Sequence, residues 1–339
     1  MTTLLKAHHV TKVFGRGVLS SKGKTTALED FSLDIRTDQP TITGVVGESG
    51  SGKTTMARLL LGLESPTTGE VLYNGKDLRR LTRGDWLQFR RDVQVVFQDP
   101  FEVYNPLYKV DHVLETPINK FRLARSRAEE RELMHEVLGA VGLRPDETLG
   151  RYPHELSGGQ RQRVMVARAL LLKPKLIIAD EPVSMIDASL RATVLDNLRR
   201  LHSDFGISII YITHDLTTAF QISHNIIVLY RGSVAEAGDV RLAVKQPKHP
   251  YTRLLVGSIP LPDPQRAWTE ELPPSELGRQ AVDGVGCKFA PRCPHAFEPC
   301  LQAAPPLFQT EPNRTAACYL YKEHTALTAE KMDSVFVYE

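Results

Sequence analysis

Two short clusters in this sequence carry residue types able to do phosphate chemistry. The first, Gly47-Glu48-Ser49-Gly50-Ser51-Gly52-Lys53-Thr54, fits the pattern G-x-x-x-x-G-K-[ST]. Glycines let a backbone wrap closely around phosphates with its N–H groups turned inward. A helix starting where the loop ends adds partial positive charge. Lys53 would bring a full charge to the β- and γ-phosphates of a nucleoside triphosphate, and Thr54 a hydroxyl to Mg²⁺. The second cluster is Asp180-Glu181, directly after the apolar run Leu176-Ile177-Ile178-Ala179. Ligands of open α/β sheets lie at the carboxyl ends of strands. Asp180 is thereby placed to hold Mg²⁺, through water, and Glu181 to orient and polarise an attacking water. The chemistry is hydrolysis of a phosphoanhydride.

These clusters need a frame. Thr41–Val46 reads as a strand entering the loop and Thr54–Leu63 as a helix leaving it. Leu176–Ala179, Ser208–Ile212 and Asn225–Leu229 are further apolar runs. Such runs, separated by helical segments, predict an α/β fold whose parallel sheet is covered on both faces. In Ala124–Val141, charges at Arg125, Arg127, Glu129, Glu130, Arg131 and Glu132 precede Leu133, Val137 and Leu138. This predicts an amphipathic helix in a helical insertion. Beyond Gly238, Pro247, Pro250, Pro260, Pro262, Pro264, Pro273 and Pro274 crowd together, which reads as a linker and extended appendage, not more sheet. The 339 residues are 42% hydrophobic and 24% charged, an ordinary globular composition. A net charge of +2 gives no electrostatic case for a nucleic-acid ligand. No run of about 18 apolar residues is present, so no helical membrane span is expected. The N-terminus lacks the apolar core of a signal peptide, and the chain is expected to stay in the cytosol.

Leu156-Ser157-Gly158-Gly159-Gln160, followed by Arg161-Gln162-Arg163-Val164, resembles the signature sequence of ABC ATPases. Other family elements occur in family order. Gln98, in Val96-Phe97-Gln98-Asp99-Pro100, resembles the Q-loop glutamine. Ser184-Met185-Ile186-Asp187 sits where the family has its D-loop, and His214, in Tyr211-Ile212-Thr213-His214-Asp215, resembles the switch histidine. Phe14 stands where an aromatic stacks on adenine. Met185-Ile186 departs from the family's commoner small–Leu pair, and Asp38-Gln39-Pro40 replaces the usual Gly-Glu before the loop strand.

The resemblance covers roughly residues 4 to 238 and implies a P-loop NTPase core at 1–238, with a helical subdomain at about 99–165. It implies ATP contacts from Phe14, from Gly47 through Lys53, Thr54 and Thr55, and from Ser157, Gly158, Gly159, Gln160 and Asp187. Mg²⁺ would be held by Thr54, Gln98 and Asp180, and Glu181, His214 and Gln98 would serve hydrolysis. It further implies that Ser157 faces the γ-phosphate bound to a second ATPase subunit, identical or merely related. Partners would be permease subunits and, indirectly, an extracytoplasmic solute-binding protein, with the chain on the cytoplasmic face of the membrane. By the same resemblance, a groove beside Gln98 and Ala124–Val141 receives the permease, with exposed apolar positions near Phe101 and Tyr104.

Lys248-His249-Pro250-Tyr251-Thr252-Arg253-Leu254-Leu255, Ser258-Ile259-Pro260 and Gly286-Cys287-Lys288-Phe289-Ala290-Pro291-Arg292-Cys293-Pro294 resemble the C-terminal extension of dipeptide and oligopeptide importer ATPases, here residues 239–339. That subgroup also includes importers of oligosaccharides and metals. The cysteines, Cys287, Cys293, Cys300 and Cys318, are spaced C-x5-C-x6-C-x17-C. This is neither a zinc-finger pair nor a ferredoxin run. Spacing leaves open an iron–sulfur cluster, a zinc ion, or reduced thiols without metal. Lys288 and Arg292, beside the first two thiols, are expected to favour thiolates. The resemblance tips the choice toward a [4Fe–4S] cluster. A rival reading, a soluble ABC ATPase acting on nucleic acid or ribosomes, expects two ATPase modules, a long coiled coil or basic insertions. The sequence has one loop, one signature and no long heptad run.

Overall fold

The computed structural model describes residues 3–15, 23–98, 104–184, 186, 188–259, 273–280 and 285–338, with backbone alone at 188–190. The chain divides into two compact units, Met1–Leu81 with Tyr211–Glu339, and Thr82–Ile210.

The first unit opens on β1 (Thr3–Phe14) and β2 (Thr25–Arg36), which pair antiparallel. All five residues of β3 (Ile42–Val46) are buried, the pattern of a strand covered on both faces. The helix after the loop, α1, runs Lys53–Leu60, shorter than the expected Thr54–Leu63. Gly62, at φ 65, turns the chain there, and the Leu63 N–H reaches back to the Arg58 carbonyl. β4 (Thr68–Tyr73) and β5 (Lys76–Asp77) complete a sheet of order β2-β1-β4-β5.

In the second unit, α2 (Arg83–Asp92) starts on a Thr82/Asp85 capping box and runs into β6 (Val93–Val96). Then come α3 (Asp111–Phe121), α4 (Arg127–Ala140), α5 (Pro145–Thr148) and α6 (Gly158–Leu170). α4 is the expected amphipathic helix: Ser126 caps it, and Met134, Val137 and Leu138 are buried. β7 (Leu176–Asp180) lies parallel to β6, register Val93↔Leu176 to Val96↔Ala179. α7 (Ala188–Phe205) follows, with Asn197 Nδ2 donating to the Val141 carbonyl at 3.2 Å. The chain returns to the first unit within β8 (Ser208–Thr213).

The remainder of the first unit contains α8 (Leu216–Ile222), β9 (Asn225–Tyr230), β10 (Ser233–Asp239), α9 (Val240–Lys245), α10 (Pro250–Gly257), α11 (Glu298–Gln302), β11 (Leu307–Glu311), β12 (Arg314–Ala316) and β13 (Ala326–Leu327). Its strands run β13-β11-β12-β10-β9-β3, with β3 and β9 parallel. The appendage is therefore more sheet, contrary to the reading of the prolines. Those prolines lie ahead of β11, and strands of two to five residues carry too little alternation to be recognised. Buried polar groups weld the added strands on. Arg314 is 0% exposed and donates to the carbonyls of Leu242 and Gln246 and to Glu311. Glu236, also 0% exposed, accepts from the N–H groups of Lys248 and His249, while burial pushes its carboxyl above the ordinary value. A charge this deep persists only when so satisfied. Gly238 makes the join close: a Cβ there would lie 2.2 Å from the Asn313 carbonyl oxygen.

Candidate nucleotide site

The glycine loop joins β3 to α1. Gly47 and Gly52 are required by their surroundings as well as by any ligand. A Cβ on Gly47 would lie 2.2 Å from the Leu229 carbonyl oxygen, and one on Gly52 2.4 Å from that of Ala27. Gly52 caps α1 at φ 107, and no acidic residue occupies the helix's first turn, so its positive end keeps its field for an anion. Lys53 is buried, its amine donating to the carbonyls of Gly47 at 2.6 Å and Glu48 at 3.0 Å. The Ser51 hydroxyl is buried without a hydrogen-bond partner among the described residues. Ser49, Gly50 and Thr54 are exposed and Thr55 half-buried. This concave set of donors beside a helix start suits a polyphosphate and its Mg²⁺. Phe14, ending β1, is 41% exposed and outside the core, with the Lys12 amine 4.8 Å from its ring centroid.

The C-terminal extension reaches this loop, which sequence reasoning missed. The Glu48 N–H donates to the Tyr251 hydroxyl at 2.8 Å. Tyr251 is fully buried against Tyr230 and Phe289, and burial raises its phenol pKa. The Glu48 carboxylate meets Arg292 Nη1 at 3.0 and 3.1 Å. The Gly232 N–H donates to the Ser51 carbonyl at 2.8 Å. Tyr251 was visible in the sequence only as part of a subgroup signature.

Lys288 and Arg292 do not serve the thiols as expected. Lys288 bonds Glu29 at 2.6 Å and the Arg231 carbonyl at 2.8 Å, and Arg292 is committed to Glu48. Burial instead pushes the Cys287 thiol up, Cys293 to about 11 and Cys318 to about 12. Cys287, Cys293, Cys300 and Cys318 form no disulfide and line one small cavity with Phe289, Phe297 and Pro305. Their sulfurs are spread wider than the 4.8 Å grouping that one shared ion would show.

In the second unit, Asp180 is the last residue of β7, and Glu181 follows at φ 46. A non-glycine residue in this left-handed region costs about 1 kcal/mol or more, a strain found at functional turns. The Ser184 N–H and hydroxyl both bond the Glu181 carbonyl, at 3.2 and 3.0 Å. Gln98, exposed after β6, donates Nε2 to Glu181 Oε2 at 3.3 Å. Two residues predicted separately for hydrolysis are thus in contact. Ser157 caps α6: its hydroxyl accepts the Gln160 N–H at 3.2 Å, and Gln160 Oε1 accepts the Ser157 N–H at 2.9 Å. Gly158 and Gly159 form the first turn, again without an acid. Gln162, 1% exposed, donates to the Phe97 carbonyl at 3.2 Å, tying the signature helix to the residue before Gln98.

Tyr104 is not an exposed docking residue: it is buried, and its hydroxyl donates to the Arg161 carbonyl at 2.9 Å. Phe101, Met185 and Asp187 lie outside the described residues. His214 is exposed in the first unit, just past β8, and the next residue, Asp215, caps α8.

The family model described as ABC transporter matches residues 28–184, and that of the oligopeptide/dipeptide transporter C-terminal region matches 235–300. The putative oligopeptide transport ATP-binding protein YkfD of Bacillus subtilis is 41% identical over 92% of this chain and 94% of its own. The oligopeptide transport ATP-binding protein OppF of Escherichia coli is 42% identical over 78% of this chain and 79% of its own. Among solved structures, the dimeric post-hydrolysis state of the ATP-binding cassette MJ0796 bound to ADP and Pi superposes with TM-score 0.62 at 32% identity, covering 70% of this chain and 99% of that one.

Glu181→Gln is expected to retain Mg-ATP binding and to lose turnover by on the order of 10²-fold or more, measured as phosphate release. Lys53→Ala should weaken nucleotide binding itself, read by fluorescent-nucleotide titration. Tyr251→Phe leaves the Glu48 N–H without its acceptor, and with Arg292→Ala should weaken ATP binding measurably while the fold survives. Unchanged ATP affinity in both would detach the extension from the site.

Proposed function

This chain belongs to the ATP-binding subunits of the ABC transporters, and we propose that it is the ATP-hydrolysing subunit of a peptide importer. The observation that carries this reading is continuity. The region matching the oligopeptide/dipeptide transporter extension contains Tyr251 and Arg292, which hold the phosphate loop. The extension thus belongs to the working parts of the cassette. That continuity also disfavours a soluble ATPase acting on nucleic acid or ribosomes.

The phosphate loop, with Lys53, grips the triphosphate, and Phe14 stacks on the base. Thr54, Gln98 and Asp180 would hold Mg²⁺, which would supply positive charge against that of the triphosphate. Glu181 orients the attacking water with help from Gln98, with His214 a further hydrolytic residue and Asp187 a further ATP contact. Ser157, Gly158, Gly159 and Gln160 offer the positive end of α6 to the γ-phosphate held by a second ATPase subunit. ATP then stabilises the closed pair because it bonds better to that state than to the open one, and hydrolysis removes the advantage. Permease subunits convert closure into transport at the cytoplasmic face, supplied by an extracytoplasmic binding protein. No helix among the described residues is long and apolar enough to cross a membrane, in keeping with separate permeases.

The four cysteines are, in this reading, ligands of a [4Fe–4S] cluster, with zinc the alternative. Four thiols on one cavity suit thiolate-bound metal. Their spread exceeds what one tetrahedral ion allows, so the loops would have to draw in to hold zinc, whereas a cluster spaces its thiolates more widely.

Mixing Ser157→Arg subunits with Lys53→Ala subunits should restore ATPase activity if the chain pairs with itself, since one site of each mixed pair carries neither defect. Mixed pairs without activity would contradict shared sites. Iron, sulfide and zinc counted on anaerobic material decide the metal, and Cys293→Ser should lower whichever is present. Unchanged metal content would remove Cys293 from the ligands.

A further inference from the structure

Consecutive side chains of a regular strand point to opposite faces, so neighbouring residues do not reach one group. His8 and His9 on β1 do. The register of β1 slips against β2 between Ala7 and Val10, and against β4 between His8 and Thr11. At the slip, His9 adopts φ 48, and its N–H donates to Ser32 Oγ at 2.9 Å. The rings stand 5.0 Å apart, edge to face. Both Nε2 atoms meet the same carboxylate oxygen, Glu330 Oε1, at 2.6 Å from His8 and 3.1 Å from His9. Glu330 comes from the 3₁₀ segment Ala329–Val335, near the far end of the chain.

A fourth group completes the arrangement. Asp30 on β2 holds the other ring nitrogen of His9, Nδ1, at 2.5 Å. Asp30 is itself left-handed, φ 45, and its N–H is fixed by Thr11 Oγ1 at 3.0 Å. A surface histidine–glutamate ion pair needs one ring and one carboxylate. It does not need two non-glycine residues in a conformation costing about 1–2 kcal/mol each. A metal site needs two imidazoles to converge, and a carboxylate on Nδ1 fixes the tautomer that presents Nε2 to the ion. Among the described residues, His8, His9 and Glu330 are the one set of three or more His, Cys, Asp or Glu whose ligand atoms lie within 4.8 Å of one another. Ligand bonds of about 2.0–2.2 Å place donor atoms about 3 Å apart, a spacing the exposed Glu330 carboxylate reaches by a small shift.

We propose that His8, His9 and Glu330 bind a divalent transition ion, with Zn²⁺ the reference case, and that Asp30 orients His9 for it. Two imidazoles and a carboxylate select zinc, nickel or copper over magnesium and calcium. All three ligands are partly exposed, so the ion keeps open positions to water and exchanges with solution. Bound there, it fastens the C-terminal segment to the N-terminal strand. Met332 and Val335 of that segment are already buried in the same unit.

The test uses the metal-free full-length chain, dialysed against Zn²⁺, with bound zinc counted by elemental analysis. The His8→Ala/His9→Ala double variant should carry one zinc per chain fewer than wild type, whatever the cysteines bind in both. Glu330→Gln, at the exposed end of the site, should likewise lose it, and Asp30→Asn should weaken it about tenfold. Zn²⁺ should slow hydrogen exchange across Ala329–Val335 in wild type alone, and Mg²⁺ should not. A zinc count unchanged in both the double variant and Glu330→Gln would overturn the site, as would slowing that persists without the two rings.

Discussion

Backbone N–H groups can hold a polyphosphate only if the loop carrying them is held open before the phosphate arrives. Left alone, a glycine-rich loop of this length would spend binding energy on its own ordering. Here it is fixed from several sides. Neighbouring backbone presses on Gly47 and Gly52 so closely that no side chain fits. Gly232 bonds the Ser51 carbonyl, Tyr251 takes the Glu48 N–H, and Arg292 holds the Glu48 carboxylate. Much else in the first unit follows from that need. The buried Glu236–Arg314 region anchors the added strands, and α10 presents Tyr251 from a fully buried position. An extension that looked separable in sequence bonds the glycine loop directly, through Tyr251 and Arg292.

The second unit solves a different problem, the placement of one carboxylate. β7 delivers Asp180 and Glu181 to its carboxyl end, and the backbone then turns left-handed at Glu181. There its carboxylate accepts from Gln98 Nε2 at 3.3 Å. Gln162 links the signature helix to the strand end that carries Gln98. α6 is thereby tied to the residue before Gln98, which itself bonds Glu181.

The motifs were legible in the sequence because their spacing is dictated by local backbone geometry. A strand, a glycine loop and a helix start occupy consecutive residues, as do Leu176 to Glu181. The strands with continuous apolar runs, Ile42–Val46 and Asn225–Tyr230, were found for the same reason. What stayed hidden depends on contacts distant along the chain. Arg292 sits one residue from Cys293 and was read as its electrostatic partner, yet its guanidinium is bound to Glu48, 244 positions away. Exposed apolar positions near Tyr104 were expected from the family resemblance, yet Tyr104 itself is buried, with its hydroxyl on the Arg161 carbonyl of α6. The convergence of His8 and His9 required a bulge that alternation cannot reveal.

The central claim is that one ATP is gripped by the glycine loop of one chain and the signature helix of another. Hydrogen exchange of the full-length Glu181→Gln chain, with and without Mg-ATP, tests it most directly. The account predicts slowed exchange at residues 47–55 at every protein concentration, and at 157–162 only as concentration rises and pairs form. Protection of 47–55 with no change at 157–162 at any concentration, or protection of both in a chain shown to be monomeric, would contradict it.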